Sequence, residues 1–180
     1  MGKLLLHSCC ADCVLKFVHE LDLDKIGVTV FYYNPNIHPK TEYLARLKAM
    51  QQVCAELKIK LIIPNWRPAE YFAAVKVKQK PARCHQCWQL RLAQTANYAR
   101  QNGFDTFSST LLSSKYQNED FITKLSQKIA AKTGLKFFVP DKICRECQTG
   151  GFYKQNYCGC CYSLAERMEE KFPQSDNINW

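Results

Sequence analysis

KLLLHSCCADCVLKFVHEL, residues 3–21, sets the architecture of this chain. Lys3–His7 is a short aliphatic run of the kind that forms a buried strand. Val14–Leu21 spaces its apolar residues as one face of a helix, with Asp12 as candidate N-cap. Val28–Tyr33 reads as a second buried strand. Strand, loop, helix, strand is the repeating piece of a parallel sheet, and the loop in this one carries three thiols, Cys9, Cys10 and Cys13.

The rest of the chain continues the alternation. After the turn residues NPNIHP (34–39), Tyr43, Leu44, Leu47, Met50, Cys54 and Leu57 mark one face of a long helix, which makes Cys54 a core residue. Leu61–Ile63 is expected as a third strand, Ala69–Val77 as a shorter helix and Trp88–Gln101 as a helix closed by Gly103. Thr106–Ser109 follows as a strand, Glu119–Thr133 as a helix closed by Gly134, and Lys136–Val139 as a last strand. The fold class is therefore α/β, a parallel sheet flanked by helices. We expect one domain over 1–180, with a Cys-rich C-terminal segment, 141–163, completing the site. At 180 residues and 47% apolar content the chain buries one ordinary core.

Composition narrows the function. No run of about 20 apolar residues occurs, and the apolar stretch near Met1 is too short for a signal peptide, so no membrane partner is expected and a cytoplasmic location is. Thiols stay reduced there, and eleven cysteines, an odd number, point to metal or redox chemistry instead of disulfide stapling. A formal net charge of +9 suits a polyanionic partner. The segment KVKQKPAR holds Lys76, Lys78, Lys80 and Arg83 and runs directly into a cysteine pair, as a phosphate-contacting rim would. Tyr32 or Tyr33, at a strand's end, is placed to stack on a base.

C-x-x-C pairs occur at Cys10/Cys13, Cys84/Cys87, Cys144/Cys147 and Cys158/Cys161, with Cys9 and Cys160 inserted beside two of them. Iron–sulfur and zinc both use such pairs. Zinc ribbons close their pairs off from substrate on small hairpins, whereas the first pair here sits on a strand-to-helix turn, where ligands of α/β folds bind. The dipole of the following helix favours thiolates at that turn, and the loop lacks the glycines of a phosphate cradle.

HSCCADC (7–13), RCHQCWQLRL (83–92), SSTLLSSKYQN (108–118) and YKQNYCGCCYS (153–163) together resemble the QueH family of epoxyqueuosine reductases. The resemblance implies a HUP-like, Rossmann-like fold, a [4Fe–4S] cluster, one additional iron ion, and a tRNA substrate carrying epoxyqueuosine at its wobble position, whose epoxide oxygen is removed to give queuosine. It implies cluster ligands at Cys9, Cys10, Cys84 and Cys87, and places the second iron at Cys13, Cys158 and Cys160. Cys13 and Asp12 are then the candidate catalytic residues. Lys76, Lys78, Lys80, Arg83, Arg91 and Tyr33 are the candidate substrate contacts. The electron donor is a partner that the sequence does not identify.

Two positions depart from the family pattern. Asp12 stands where a proline is usual, as a helix cap or as a metal ligand or proton donor. Cys144 and Cys147 have no counterpart, and either form a zinc site with Cys161 or supply thiols near the iron centre. Among the histidines, His7 reads as a buried ring hydrogen-bonded to backbone and His85 as a shield over the cluster. His19 and His38 read as surface or turn residues. The rival functions are a zinc-stabilised RNA-binding module and an iron–sulfur tRNA thiolase. The second would need a Gly/Ser-rich pyrophosphate loop where Cys9 and Cys10 stand.

Overall fold

The computed structural model describes residues 2–19, 21–114, 117–144, 147, 150–153 and 155–172. Residues 145, 146, 148, 149 and 154 of the 141–163 segment therefore lie outside the described residues. Five strands, β1 (Gly2–His7), β2 (Ile26–Phe31), β3 (Lys60–Ile62), β4 (Thr106–Ser109) and β5 (Lys136–Phe137), form one sheet in the order β3-β2-β1-β4-β5. Every pairing is parallel; Leu5 of β1 sits opposite Thr29 of β2 and Phe107 of β4. This is the Rossmann-like arrangement that the resemblance implies.

β1 is central, so both faces of its apolar run are covered. Leu4, Leu5 and Leu6 are all buried. Leu4 and Leu6 pack with Val14, Phe17 and Val18 of α1 (Ala11–Val18) and with Met50, Val53 and Cys54 of α2 (Lys40–Glu56). On the opposite face Leu5, Phe31 and Phe107 pack against Ala96 and Ala99 of α4 (Ala82–Gln101), against which α5 (Glu119–Thr133) is laid. The remaining helices are α3 (Pro68–Ala74), α6 (Cys161–Lys171) and a 3-10 turn over Thr110–Ser113.

The direction in which strands are added reverses at β1. β2 and β3 add on one side of it and β4 and β5 on the other, which opens a crevice beyond the carboxyl ends of β1 and β4. The thiol turn and the Thr110–Ser113 turn both lie at that end.

Several elements differ from the sequence expectation, each for a local reason. The N-cap of α1 is Cys10, in extended conformation, and not Asp12. Ser8 N–H still bonds Phe31 O (3.1 Å) and Ser8 O accepts from Asn34 Nδ2 (2.8 Å), so the turn is short and the helix starts early. Asp12 falls in the first turn, paired with Lys16 at 3.1 Å. Helix α4 begins at Ala82, six residues before Trp88, because Pro81, with its preset φ, serves as N-cap. On α2, Leu44 is exposed while Arg46 is buried. α6, which no apolar periodicity announces, starts after Cys160, whose sulfur accepts Ser163 N–H at 3.3 Å. Gly134 at φ +70 closes α5 as expected.

Candidate metal centre

Three segments deliver thiols to the crevice. The first is the β1–α1 turn with Cys9, Cys10 and Cys13, which are linked by thiol hydrogen bonds from Cys9 to Cys10 to Cys13. The second is the first turn of α4, where the i, i+3 spacing of Cys84 and Cys87 sets both thiols on one helix face. The third is the loop before α6, with Cys158 and Cys160. These segments meet: charge on Cys158 and Cys160 reaches Cys84 and Cys87, and charge on Cys9 reaches Cys158. Cys10, Cys87 and Cys160 are buried, Cys9, Cys13 and Cys84 half-buried, and Cys158 exposed.

Burial and mutual hydrogen bonding favour the protonated thiol at Cys9, Cys10, Cys84, Cys87 and Cys158. Hydrogen bonding to Cys10 and then burial push Cys9 well up, and the bond to Cys13 pushes Cys10 up to about 12. Burial pushes Cys87 up to about 12 against the opposing pull of Arg91. Metal binding here releases protons, as at any thiolate site.

Two buried guanidiniums surround the thiols. Arg91, 2% exposed, donates to Asn34 Oδ1 at 2.9 Å and lies 3.3 Å from His7 Nε2, and its charge faces Cys9, Cys87 and Cys158. Among the described residues it has no carboxylate partner. A charge that deep needs a counter-ion, and the thiols are the groups able to become one. Arg46, 1% exposed, pairs with Glu42 at 2.6 Å and donates to the carbonyls of Cys158 (3.3 Å) and Tyr157 (3.1 Å). It thereby pins the loop that carries Cys158 and Cys160. His38 N–H also bonds Gly159 O at 2.7 Å, and the Tyr157 hydroxyl donates to His38 O at 2.5 Å.

Gly159 has φ +117, and a Cβ there would come within 3.1 Å of Arg46 Nη1, so glycine alone lets the loop cross the guanidinium. Behind it, Tyr71 packs with Cys87, Cys160 and Val75. Burial first, then charge on Cys160, pushes the Tyr71 phenol strongly up.

Ser8 Oγ, the Asn36 amide, Thr110 Oγ1 and Ser113 Oγ are buried without hydrogen-bond partners among the described residues, on turns that follow β1, β2 and β4. Orphaned polar atoms, the guanidinium of Arg91 without a carboxylate partner among the described residues, and seven thiols fit a thiolate-held, negatively charged metal group. Thiolates on separate corners of a cubane stand roughly 6 Å apart, wider than ligands of one ion. Among the described residues, the one set of three ligand atoms within 4.8 Å of one another is His19, Cys144 and Cys147. Cys13, Cys158 and Cys160 share the crevice without meeting that tightly.

The other candidates fall as follows. Lys76 and Lys78 are exposed. Lys80 is exposed too, but is paired with Glu166 at 2.7 Å. Arg83, expected on the rim, is instead 3% exposed, bonded to Glu166 (2.7 Å) and to Lys78 O (2.6 Å). Arg91, also expected to touch substrate, lies inside the thiol cluster as described. Each guanidinium is drawn inward by acceptors of the protein itself, Glu166 and Lys78 O for Arg83 and Asn34 for Arg91. Tyr33 is buried, donates to Glu70 Oε2 at 2.5 Å, and lines a cleft of about 380 Å³ with Phe31, Ile62, Arg67 and Tyr98.

His7 is fully buried, bonded to Ser109 Oγ (2.9 Å) and Tyr33 O (3.2 Å), and His85 stacks on Phe121 at 3.7 Å. His38, read as a surface residue, stacks on Phe72 at 5.1 Å. Cys161 opens α6 beside Cys160; the residue that joins Cys144 and Cys147 is His19 in its place. Arg46, Glu42, Tyr71 and Gly159 were not singled out from sequence. The Glu42/Arg46 spacing of four and the glycine between two cysteines were the signals available.

The epoxyqueuosine reductase QueH family model matches residues 4–166. The chain is 38% identical over 173 residues to a Dehalococcoides mccartyi protein named Epoxyqueuosine reductase QueH, a match covering 92% of this chain and 94% of that one. A Thermotoga maritima protein of the same name is 34% identical over 186 residues, covering 94% of each. A Helicobacter pylori protein, again so named, is 30% identical over 190 residues, which is 93% of this chain and 51% of that one.

Proposed function

The chain belongs to the epoxyqueuosine reductase QueH family, and on that premise we propose that it removes the epoxide oxygen of epoxyqueuosine at the wobble position of tRNA. The reaction consumes two electrons and two protons; both C–O bonds of the epoxide break, an alkene forms and the oxygen leaves as water. The observation that carries this reading is the convergence of three thiol-bearing segments, through Cys9, Cys87 and Cys158, on the buried guanidinium of Arg91 in the crevice of a Rossmann-like sheet.

In this reading Cys9, Cys10, Cys84 and Cys87 hold a [4Fe–4S] cluster, and Cys13, Cys158 and Cys160 hold one further iron. The first group supplies electrons one at a time from a separate donor, and the second supplies a Lewis acid for the oxygen. Arg91 balances thiolate charge, and Arg46, paired with Glu42, holds the loop that carries Cys158 and Cys160. Asp12, on the helix turn that carries Cys13 and paired with Lys16, is the carboxyl group beside Cys13 that relays a proton toward the departing oxygen. Exposed Lys76 and Lys78, with Lys80, give tRNA phosphates a landing rim beside the crevice, and Tyr33 sits in the cleft open to a base. Residues 1–180 act as one domain in which the 141–163 segment completes the site. A cytoplasmic location goes with a tRNA substrate, and no helix among the described residues is long and apolar enough to cross a membrane.

The test is iron and acid-labile sulfide content of anaerobically purified protein, with conversion of tRNA-bound epoxyqueuosine followed by nucleoside mass spectrometry under a chemical reductant. Cys9→Ala, Cys10→Ala, Cys84→Ala and Cys87→Ala should each lose chromophore and turnover. Cys13→Ala should keep most of the chromophore and lose more than about a hundredfold in rate. Zinc alone, with no sulfide, would support the RNA-binding module instead.

A further inference from the structure

His19 is the C-cap of α1, so it stands at the opposite end of that helix from the thiol turn, ~14 Å along the axis from Cys10. Cys144 and Cys147, from the segment after β5, come to it there. One ligand atom from each of the three residues lies within 4.8 Å of the other two, with the imidazole exposed and the cysteines half-buried. The two cysteines are joined as a disulfide with Cα atoms 5.5 Å apart. A backbone spacing of that size serves a disulfide, and it equally serves two thiolates on one tetrahedral ion.

The third residue favours the metal. An imidazole nitrogen stands within ligand reach of both sulfurs, and a Cys₂His set is a common donor triad for zinc. Zn–S bonds of about 2.3 Å and Zn–N bonds of about 2.0 Å bring such atoms roughly 3.3–3.8 Å apart, a short rotamer adjustment from where they stand. Two thiolates and a neutral imidazole sum to two negative charges, matching a divalent ion, and the soft donors select zinc over magnesium or calcium.

We propose that His19, Cys144 and Cys147 form a second, redox-gated zinc site, separate from the crevice thiols, with water in the fourth position. In its oxidised state the pair is a disulfide and binds nothing. A dithiol reductant opens it by exchange: the S–S bond breaks, two electrons pass to the cysteines, two thiols form, and the dithiol is left as a cyclic disulfide. Zinc then binds and the two thiols release two protons. The ion ties the C-terminus of α1 to the segment after β5. This goes beyond the reductase reading and does not depend on it.

Zinc content of the iron-loaded chain, measured by native mass spectrometry under anaerobic conditions before and after dithiol treatment, tests the site. The treated protein should gain one zinc per chain that the untreated protein lacks. Cys144→Ser/Cys147→Ser should abolish that zinc with the iron and sulfide content unchanged. His19→Ala should weaken it at least tenfold against a chromogenic chelator. Cobalt in place of zinc gives a further readout: His19→Cys should retain the metal and raise the thiolate-to-cobalt charge-transfer intensity about 1.5-fold, from two thiolates to three. No zinc after reduction would overturn the proposal, as would zinc that survives the double variant. Unchanged affinity in His19→Ala would remove His19 from the site and overturn it equally.

Discussion

The two ends of α1 present cysteines in opposite surroundings. At its N-terminus Cys10 is buried, Cys9 is hydrogen-bonded within a chain of thiols, and the guanidinium of Arg91 faces them without a carboxylate of its own among the described residues. At its C-terminus Cys144 and Cys147 are half-buried, their neighbour is an exposed imidazole, and they are bonded to each other. The buried end cannot change its charge without a compensating group, because desolvation penalises any unpaired ion there by several kcal/mol. The outer end exchanges protons, electrons and metal with solvent at little cost. Cysteine spacing is the same at both ends, so environment, and not motif, assigns their chemistry.

The sharpest way to break this contrast is to remove the buried counter-charge. Arg91→Met should leave the outer end's zinc binding intact while costing the crevice about 3 kcal/mol or more of metal-group retention, a loss of more than a hundredfold. Arg91→Lys should recover part of it, since charge is restored without the second hydrogen bond to Asn34. Iron and sulfide content, read beside zinc content, separates the two ends. Equal loss at both would mean that Arg91 acts through global stability.

A smaller effect is expected at the loop that closes the crevice. Gly159→Ala sets a Cβ against Arg46 at a backbone angle that L-residues rarely adopt, so it should destabilise the loop by about 1–3 kcal/mol. The readout is turnover falling about ten- to a hundredfold while cluster absorbance is largely kept, because Cys158 and Cys160 shift and Cys9, Cys10, Cys84 and Cys87 do not. A chromophore lost in step with activity would place the loop among the cluster supports.

The smallest expected effect has a pH signature. Desolvation alone would raise the Glu166 carboxyl, but Lys80 and Arg83 overcome it and hold its pKa below the ordinary value. A depressed carboxyl contributes stability above its unfolded pKa and loses it as pH falls through the folded one. The melting temperature of Glu166→Gln should therefore lie a few degrees below wild type at neutral pH, with the gap closing as pH drops below about 4. A pH-independent gap would assign the loss to packing of α6.

The sequence by itself determined the alternation of strands and helices, the buried β1, the closure of α5 at Gly134, and the family motifs at residues 7–13 and 83–92. These signals are local. Apolar runs, turn residues and C-x-x-C spacings report what a few neighbouring residues do, and His7 and Cys54 were legible for that reason. Only the tertiary structure decided that Arg46, Arg83 and Arg91 lie inside. An arginine on a helix carries the same local signal whether it faces water or groups from a distant segment, as Arg46 faces the carbonyls of Tyr157 and Cys158. The same holds for Cys84 and Cys87, which read as a loop pair and sit on a helix turn because Pro81 caps α4. It holds again for His19, whose ring meets Cys144 and Cys147 across more than 120 residues of chain. Burial of charge and assembly of a ligand set are properties of packing between distant segments, and no window of sequence contains both sides of that contact.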